Sequence, residues 1–427
     1  MGEAPFATLY TDDRVAASAY LSPEVFTAEQ DRIFQRTWVY IAHESQLPDP
    51  GSFRSSSIGR NPVLVVRGDD GVVRALHNRC SHRGATVCQL EGGRATVFRC
   101  GYHGWTFRND GQLAGITYPD GYAEADRAQV GKGLAPVPRV DSYRGFIFAS
   151  LAAHGPTLLE HLGHVTPYLD LRIDAGPAGL SAVSGQQRYS YPFNWKIQCE
   201  NVVDGYHANF VHQSALSVLG KRPDGSVSSK IFKITNGDSP GRAVGLGNGH
   251  AVLDQRPTLG PTAVKVALRR PGGPEYWERM VAAHGEDRAR DAVTAGSGEG
   301  LNVFVFPNLA FVSQQIRVIR PMTVGLTHVD LLPTWLDGAP DEFNTDRLRM
   351  HELTYGPAGL IGPDDLEMFE RVGRGLQGDG AMVDLRRGRE TVEVDERGVS
   401  DGQLTTEAPQ RSFWHAWRDA MLTESVS

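Results

Sequence analysis

Hydrophobic and polar positions along the 427 residues change their spacing twice. In "SPEVFTAEQDRIFQRTW" (22–38), Val25, Phe26, Ile33, Phe34 and Trp38 recur at intervals that give a helix one buried face. Ser22-Pro23-Glu24 reads as its capped start, with proline in the first turn. From 38 to 155 the pattern becomes short β-rich runs broken by glycine turns. "NPVLVVRGDDGVVRALHNRC" is strand, reversal, strand; "GWTFRNDGQLAGI" repeats that design around Asn109-Asp110-Gly111, and "YRGFIFASL" ends the block. Beyond 156 the pattern is mixed. Helical signals lie at 200–216, 277–290, 343–354 and 364–376, and strand signals at 183–192, 302–306, 309–320 and 324–333. The segments 217–262 and 290–300 are rich in Gly, Ser, Pro and charge and read as loops, lids or linkers. The expected organisation is a helical N-terminal part (1–37), a small all-β domain (38–155) and an α+β domain (156–427) with an antiparallel sheet.

Composition narrows the class. A formal net charge of −7 argues against a nucleic-acid partner, which would want a basic face. No apolar run is long enough to span a membrane, and the N-terminal residues lack the basic and apolar regions of a secretory signal, so the expected location is the cytoplasm. Four cysteines, Cys80, Cys88, Cys100 and Cys199, are too few for a disulfide framework in a chain of this length. Cysteines interleaved with histidines point instead to metal or catalysis.

That interleaving occurs in "CSHRGATVCQLEGGRATVFRCGYHGW", where Cys80-x-His82 and Cys100-x2-His103 each sit in a glycine-bearing loop. Two thiolates and two imidazoles suit either a structural zinc or a Rieske-type [2Fe–2S] cluster, in which two histidines replace two cysteines on one iron. Zinc fingers usually pair Cys with Cys and His with His along the chain. One of each per loop favours the cluster. Cys88 lies in the spacer and reads as a small loop thiol.

A second segment, "DGYHANFVHQ" (204–213), holds Asp204, His207 and His212. Two histidines and a carboxylate are the ligand set of non-haem iron(II) with open positions. Asp204 and His207 would share a helical face. His207 and His212, five residues apart, are about 140° apart on an ideal helix. They converge on one ion only if the helix ends, bends or carries a π-bulge.

Together the two motifs resemble the large (α) subunit of a Rieske non-haem iron ring-hydroxylating oxygenase. The pattern is most similar to the benzoate, anthranilate, salicylate and terephthalate branch. The resemblance covers nearly the whole chain and implies a small β Rieske domain inserted in a helix-grip (START-like) catalytic domain. It implies that Cys80 and Cys100 hold one iron of a [2Fe–2S] cluster and His82 and His103 the other, with Trp105 the aromatic beside them. "NWKIQCENVVDGYHANFVH" (194–212) and "GPAGLIGPDDLEMFERV" (356–372) resemble the segments that bind mononuclear Fe(II). By that match the ligands are His207, His212 and Asp365, and Asp364 caps the helix. Asp204 then links the two centres, joining His103 of one chain to His207 of the next, which implies a ring of subunits, a homotrimer. A small β subunit accompanies the α subunit in some arrangements of this kind (α3β3).

The implied activity is that of an aromatic ring-hydroxylating dioxygenase (EC 1.14.12-like). It uses O2 and electrons that come from NAD(P)H only indirectly, through a reductase with or without a ferredoxin, and the cluster passes them to the iron of a neighbouring subunit. No G-x-G-x-x-G follows a clear strand here, so this chain is not expected to bind the nicotinamide itself. Asn201, Val202, Ala208, Leu216, Asn302 and Phe304 are candidates for the substrate pocket, and an aromatic carboxylate is the first substrate class. Arg317 and Arg320 are candidate partners for its carboxylate. Other readings are a Rieske monooxygenase or demethylase, a Rieske electron carrier without catalysis, and a zinc-stabilised binding module.

Overall fold

A computed structural model describes residues 4–127, 132–183, 185–219, 239–298 and 300–423. Contacts divide the chain into two compact units, one of residues 34–159 and one of 1–33 with 160–427.

The smaller unit is built from three antiparallel sheets. β1 (Val39–His43) pairs with β10 (Phe146–Ser150), which pairs with β9 (Arg139–Tyr143). A four-stranded sheet runs β4 (Val73–His77), β3 (Asn61–Arg67), β2 (Ser52–Ile58), β5 (Gly92–Arg94). Its inner strand β3 has Val63, Leu64, Val65 and Val66 fully buried, which explains an unbroken apolar run where an edge strand would alternate. The turn after it uses Gly71 at φ +79°, and Asp70 accepts the Val72 N–H at 3.1 Å. The third sheet, β6 (Val97–Arg99), β7 (Thr106–Arg108) and β8 (Leu113–Gly115), carries the second Cys–His loop between β6 and β7. Cys80 and Cys100 belong to the core of this unit, with Phe53, Leu64, Phe98, Trp105 and Phe107.

The larger unit is organised on a nine-stranded antiparallel sheet. Its chain-order strands are β11 (Gln187–Tyr191), β12 (Arg242–Gly245), β13 (Ala251–Asp254), β14 (Leu301–Val305), β15 (Leu309–Val312), β16 (Gln315–Thr323), β17 (Leu326–Pro333), β18 (Glu393–Val394) and β19 (Ser400–Gln403). They lie side by side as β11-β17-β16-β15-β14-β13-β12-β19-β18. α1 (Pro23–Glu29) starts as the sequence predicts, with Ser22 Oγ accepting the Val25 N–H, and passes into a π-helical turn at Gln30–Phe34. The remaining helices that matter for the site are α2 (Lys196–Asn201), α3 (Ala208–Val211), α4 (Gln213–Leu219), α5 (Arg256–Leu268), α6 (Gly273–His284), α7 (Glu286–Ala295), α8 (Asp341–Thr354), α9 (Gly362–Gly375) and α10 (Ala408–Leu422). α10 packs on β12, β13 and β19 through a buried stripe that includes Phe413, Trp414, Trp417 and Met421.

Two sequence expectations need correction. Residues 217–262 were expected to be irregular, but α4 continues to Leu219, 242–245 and 251–254 are interior strands, and α5 begins at Arg256; residues 220–238 lie outside the described set. The expected loop 290–300 is helical to Ala295. Short strands next to glycine, such as "RAVGLGNGHAVLD", give too little alternation for their burial to be read. Among the described residues no helix is long and apolar enough to cross a membrane.

Candidate metal centres

The cluster motif folds as one turn used twice. The Cys80 N–H donates to Ala85 O and Gly84 N–H to Cys80 O; in the second loop Cys100 N–H donates to Trp105 O, again five residues on, and Gly104 N–H to Cys100 O. Gly84 and Gly104 have φ of +76° and +72°, so each turn needs glycine at its fourth position after cysteine. Each loop contributes one Cys and one His, yet in space like meets like. Cys80 and Cys100 are buried thiol neighbours, and the rings of His82 and His103 lie 4.6 Å apart. Burial pushes the Cys80 thiol up, and the adjacent Cys100 adds to this. A thiol held up in this way gives up its proton on binding a metal ion. His82 Nδ1 is buried without a hydrogen-bond partner, as suits a ring nitrogen turned toward a metal, and Trp105 stacks on the His82 ring at 4.8 Å. This donor set fits a cluster held by two sulfurs on one side and two imidazoles on the other. Cys88 stands apart, half-buried in the spacer.

In the larger unit His207, His212 and Asp365 come together, their candidate ligand atoms within 4.8 Å of one another. Asp365 Oδ1 lies 3.6 Å from His207 Nε2 and 3.3 Å from His212 Nε2. Ligand atoms about 2.1 Å from one ion, at roughly 90–110° to each other, are about 3.0–3.5 Å apart, so the triad fits a single metal. The histidines converge because the helix ends. α3 has only four residues, with His207 before its first and His212 after its last. Asp204 and His207 are therefore not on a helical face as expected. Residues 202–207 leave the helix after Asn201, and Asp204 instead closes a turn, its Oδ1 accepting the N–H of Tyr206 at 2.6 Å. Gly205 permits that path, since a Cβ there would stand 2.3 Å from the Leu404 carbonyl oxygen.

Asp365 is in the first turn of α9, where a helix N-terminus favours negative charge. Burial opposes its ionisation, but His212, His207 and Arg317 outweigh that and hold the carboxyl below its ordinary range. Asp204 behaves likewise: burial raises it, while His207 and the backbone N–H groups of Tyr206 and His207 bring it down. Asn201 Nδ2 donates to Asp365 Oδ1 at 3.2 Å, which places this residue at the triad. The expected helix cap by Asp364 is not formed. Ile361 is the N-cap, without a side-chain bond, and the Gly362-Pro363 start leaves Asp364 as the third residue of the helix, past the capping position.

The cleft around the triad is lined by Asn201, Val202, Ala208, Leu216 and Asn302 from the predicted set. Phe304 is not among its walls. It lies two residues further along β14, fully buried, with its ring 6.0 Å from that of Phe413. The sequence reasoning missed Leu253, Gln255, Val312, Tyr355 and Ile361. The apolar run "AVLD" ahead of Gln255 was the available signal. Arg317 also lines the cleft and is 3% exposed, whereas Arg320 is paired with Asp330 at 2.5 Å.

Comparison with known proteins agrees with both centres. Residues 37–132 match the Rieske [2Fe-2S] domain, and 180–423 match the ring hydroxylating alpha subunit (catalytic domain). The chain is 32% identical over 400 residues to the toluate 1,2-dioxygenase subunit alpha of Pseudomonas putida, covering 92% of this chain and 85% of that one. It is 34% identical over 383 residues to the 2-halobenzoate 1,2-dioxygenase large subunit of Burkholderia cepacia, covering 88% and 80%. Naphthalene 1,2-dioxygenase from Rhodococcus sp., in a crystal structure with bound indole, superposes with a TM-score of 0.81 at 28% identity over 99% of this chain and 98% of that one. Two family matches that between them take in both metal-binding motifs, and relatives matched along nearly the full chain, make this protein a large (α) subunit of the Rieske aromatic ring-hydroxylating dioxygenases, with a [2Fe–2S] cluster and a His-His-Asp mononuclear iron.

Proposed function

We propose that this α subunit is the terminal oxygenase for a small aromatic carboxylate. The observation that carries the reading is Arg317, a buried guanidinium in the wall of the cleft that holds the triad, paired with no carboxylate among the described residues. Arg317 acts on Asp365 at a distance, without an ion pair, and a substrate carboxylate would match its guanidinium fork with two hydrogen bonds. Toluate and halobenzoate, in the names of the two relatives, are anions of this class.

In this reading Cys80, Cys100, His82 and His103 hold the cluster, and His207, His212 and Asp365 hold the iron. When bound, the cluster supplies electrons and the mononuclear iron supplies oxygen activation. The chain's own residues do the rest. Arg317 fixes the acid group. Val202, Ala208, Leu216, Leu253 and Val312 exclude water from the ring, and Asn201 steadies the Asp365 carboxylate. The balanced reaction joins the arene, O2, two electrons and two protons to a cis-dihydrodiol. The electrons come from a reduced nicotinamide through a separate reductase.

The same proposal includes a ring of subunits, in which Asp204 meets His103 of a neighbouring copy. About 30% of the Asp204 side chain is accessible, and the exposed rings of Tyr206 and Phe210 flank it. In the smaller unit Tyr102 is exposed beside His103. Apolar rings exposed next to both partners suit an interface between copies. A small β subunit is compatible with this ring.

The test is turnover of benzoate, toluates and halobenzoates under 18O2 with a reductase. Both labelled atoms in a cis-diol of an aromatic acid are expected. Turnover confined to neutral arenes or esters would overturn the substrate assignment, and a single labelled atom in the product would overturn dioxygenation.

A further inference from the structure

Asp364 has no capping role in α9, yet it is not idle. Its Oδ2 is buried and lies 3.5 Å from Nδ1 of His212, and neither atom has a hydrogen-bond partner among the described residues. The other nitrogen of that ring, Nε2, faces Asp365 Oδ1 at 3.3 Å. Two consecutive residues of one helical turn thus address opposite nitrogens of a single imidazole. The arrangement is matched at the other histidine. His207 Nε2 faces Asp365 Oδ1 at 3.6 Å, and its Nδ1 faces Asp204 Oδ2 at 3.4 Å. Each ring has one nitrogen toward the shared carboxylate and the other toward a carboxylate of its own.

An imidazole that offers Nε2 to a cation carries its proton on Nδ1, and a buried Nδ1–H requires an acceptor. For His212 the acceptor that faces it is Asp364. We propose that Asp364 is a positioning residue of the mononuclear site: it accepts the His212 Nδ1–H, holds the ring in the tautomer that leaves Nε2 free, and so raises the affinity of the triad for a divalent metal. This rests on the reading that His207, His212 and Asp365 bind the iron. It differs from the part proposed for Asp204, because Asp364 acts within its own chain on the binding of the metal rather than on the link to a neighbouring copy. The first turn of α9 therefore supplies two carboxylates with separate tasks, Asp365 as ligand and Asp364 as the orienter of the ligand beside it.

The experiment is a Co2+ titration of protein that retains its [2Fe–2S] cluster but has been stripped of mononuclear iron, followed by the ligand-field absorption difference. Wild type, Asp364→Ala, Asp364→Asn and Asp365→Ala are compared, with the cluster spectrum and thermal unfolding of the metal-free proteins as folding controls. Asp364→Ala is expected to weaken Co2+ binding by about 10–100-fold with both controls unchanged. Asp364→Asn, whose amide oxygen still accepts the Nδ1–H, is expected to recover part of that loss. Binding by Asp364→Ala equal to wild type, while Asp365→Ala fails to bind, overturns the role of Asp364 alone. Wild-type binding by Asp365→Ala overturns the triad itself. Should Asp364→Ala unfold, Asp364→Asn against wild type decides: no shift in affinity and no change in the absorption bands overturns the proposal.

Discussion

Asp204 holds His207 from two directions. Its Oδ1 accepts the backbone N–H groups of Tyr206 and His207, at 2.6 and 3.3 Å, while its Oδ2 stands 3.4 Å from the Nδ1 of the same histidine. One carboxylate therefore shapes the turn that delivers the ligand and faces the ring nitrogen left over after ligation. Asp204→Asn keeps an oxygen for the turn but presents an NH2 where an acceptor is needed. The expected result is a protein with both metals bound and with turnover coupled to the reductase reduced by about 100-fold, the upper end for partners of ligating histidines. Metal analysis together with product formation checks this. Loss of the mononuclear iron in Asp204→Asn would mean that Asp204 acts through His207 on the binding of the metal, and not on the transfer between the two centres.

Arg317 separates acid from neutral substrates. A hydrogen bond to a charged group contributes about 1.5–3 kcal/mol, or roughly 10–100-fold. Arg317→Gln is expected to raise KM for an aromatic acid by that factor while leaving KM for its methyl ester nearly unchanged. Because Arg317 also helps to keep Asp365 ionised, kcat is expected to fall for both compounds alike. Equal changes in KM for acid and ester would leave Arg317 with only that electrostatic part. Arg320→Gln serves as the contrast, since its guanidinium is already committed to Asp330 and no change in KM is expected.

The residues of the two centres differ in how readable they are from the sequence. The cluster loops were legible because all four donors lie within 24 residues, and the glycines that shape the turns sit beside them. His207 and His212 were legible as a pair. Their convergence was not, since it depends on α3 ending after a single turn, and the periodicity of a ten-residue stretch does not report an end. Asp365 required the family resemblance, because about 150 residues separate it from the histidines and only the fold brings them together. Asp364 was misread for a related reason: an aspartate near a glycine–proline helix start looks like a cap, and its actual neighbour, His212, comes from another helix. The strands at 242–245 and 251–254 were hidden by their glycines, and with them Leu253 and Gln255 of the cleft. Arg317 and Arg320 stand three apart on one strand, and which of them was free for a substrate depended on where Asp330 sits on β17.

His250 makes the larger unit acid-sensitive. It is completely buried between β12 and β13. The Phe306 N–H donates to its Nδ1 at 3.0 Å, and its Nε2 lies 2.7 Å from the His161 carbonyl oxygen. The ring is thus satisfied as a neutral imidazole, with Nδ1 accepting and Nε2 donating. Burial, with His161 adding to it, brings its pKa down to about 3. The unfolded chain takes up a proton near pH 6.5 and the folded chain does not, so stability is fully present above about pH 6.5 and is lost as the pH falls toward 3. The slope in that window is about 1.4 kcal/mol per pH unit for one such group. His250→Gln should be less stable at pH 7 but should lose less on going from pH 7 to 5, as read from melting temperatures. Some slope remains in the variant because burial also holds down His351, another buried histidine of the larger unit. An unchanged slope would mean that His250 is protonated in the folded protein.

Glu29 and Lys196 tie the N-terminal helix to the segment that leads into the iron site. Both are fully buried. Lys196 Nζ donates to Glu29 Oε1 at 2.5 Å, and the indole N–H groups of Trp417 and Trp195 donate to Oε1 and Oε2, each at 2.8 Å. One carboxylate therefore joins α1, α2 and α10. Burial pushes the Lys196 pKa down, and Glu29 is the largest influence holding it up. Glu29→Gln preserves the shape but leaves a buried ammonium without its paired carboxylate, which costs about 3–5 kcal/mol. The loss should be greatest near pH 7 and shrink toward pH 10, where the lysine sheds its proton more cheaply. Adding Lys196→Met should recover most of it, since removing both charges avoids the stranded one. Urea unfolding of the larger unit, followed by tryptophan fluorescence with the cluster spectrum as an independent probe of the smaller unit, measures the difference. Because α2 ends at Asn201 and the chain then turns through Asp204 to His207, the single variant should also bind the mononuclear metal more weakly, and the double variant should regain that affinity together with its stability. A single variant as stable as wild type would mean that the three helices are held by their apolar contacts alone.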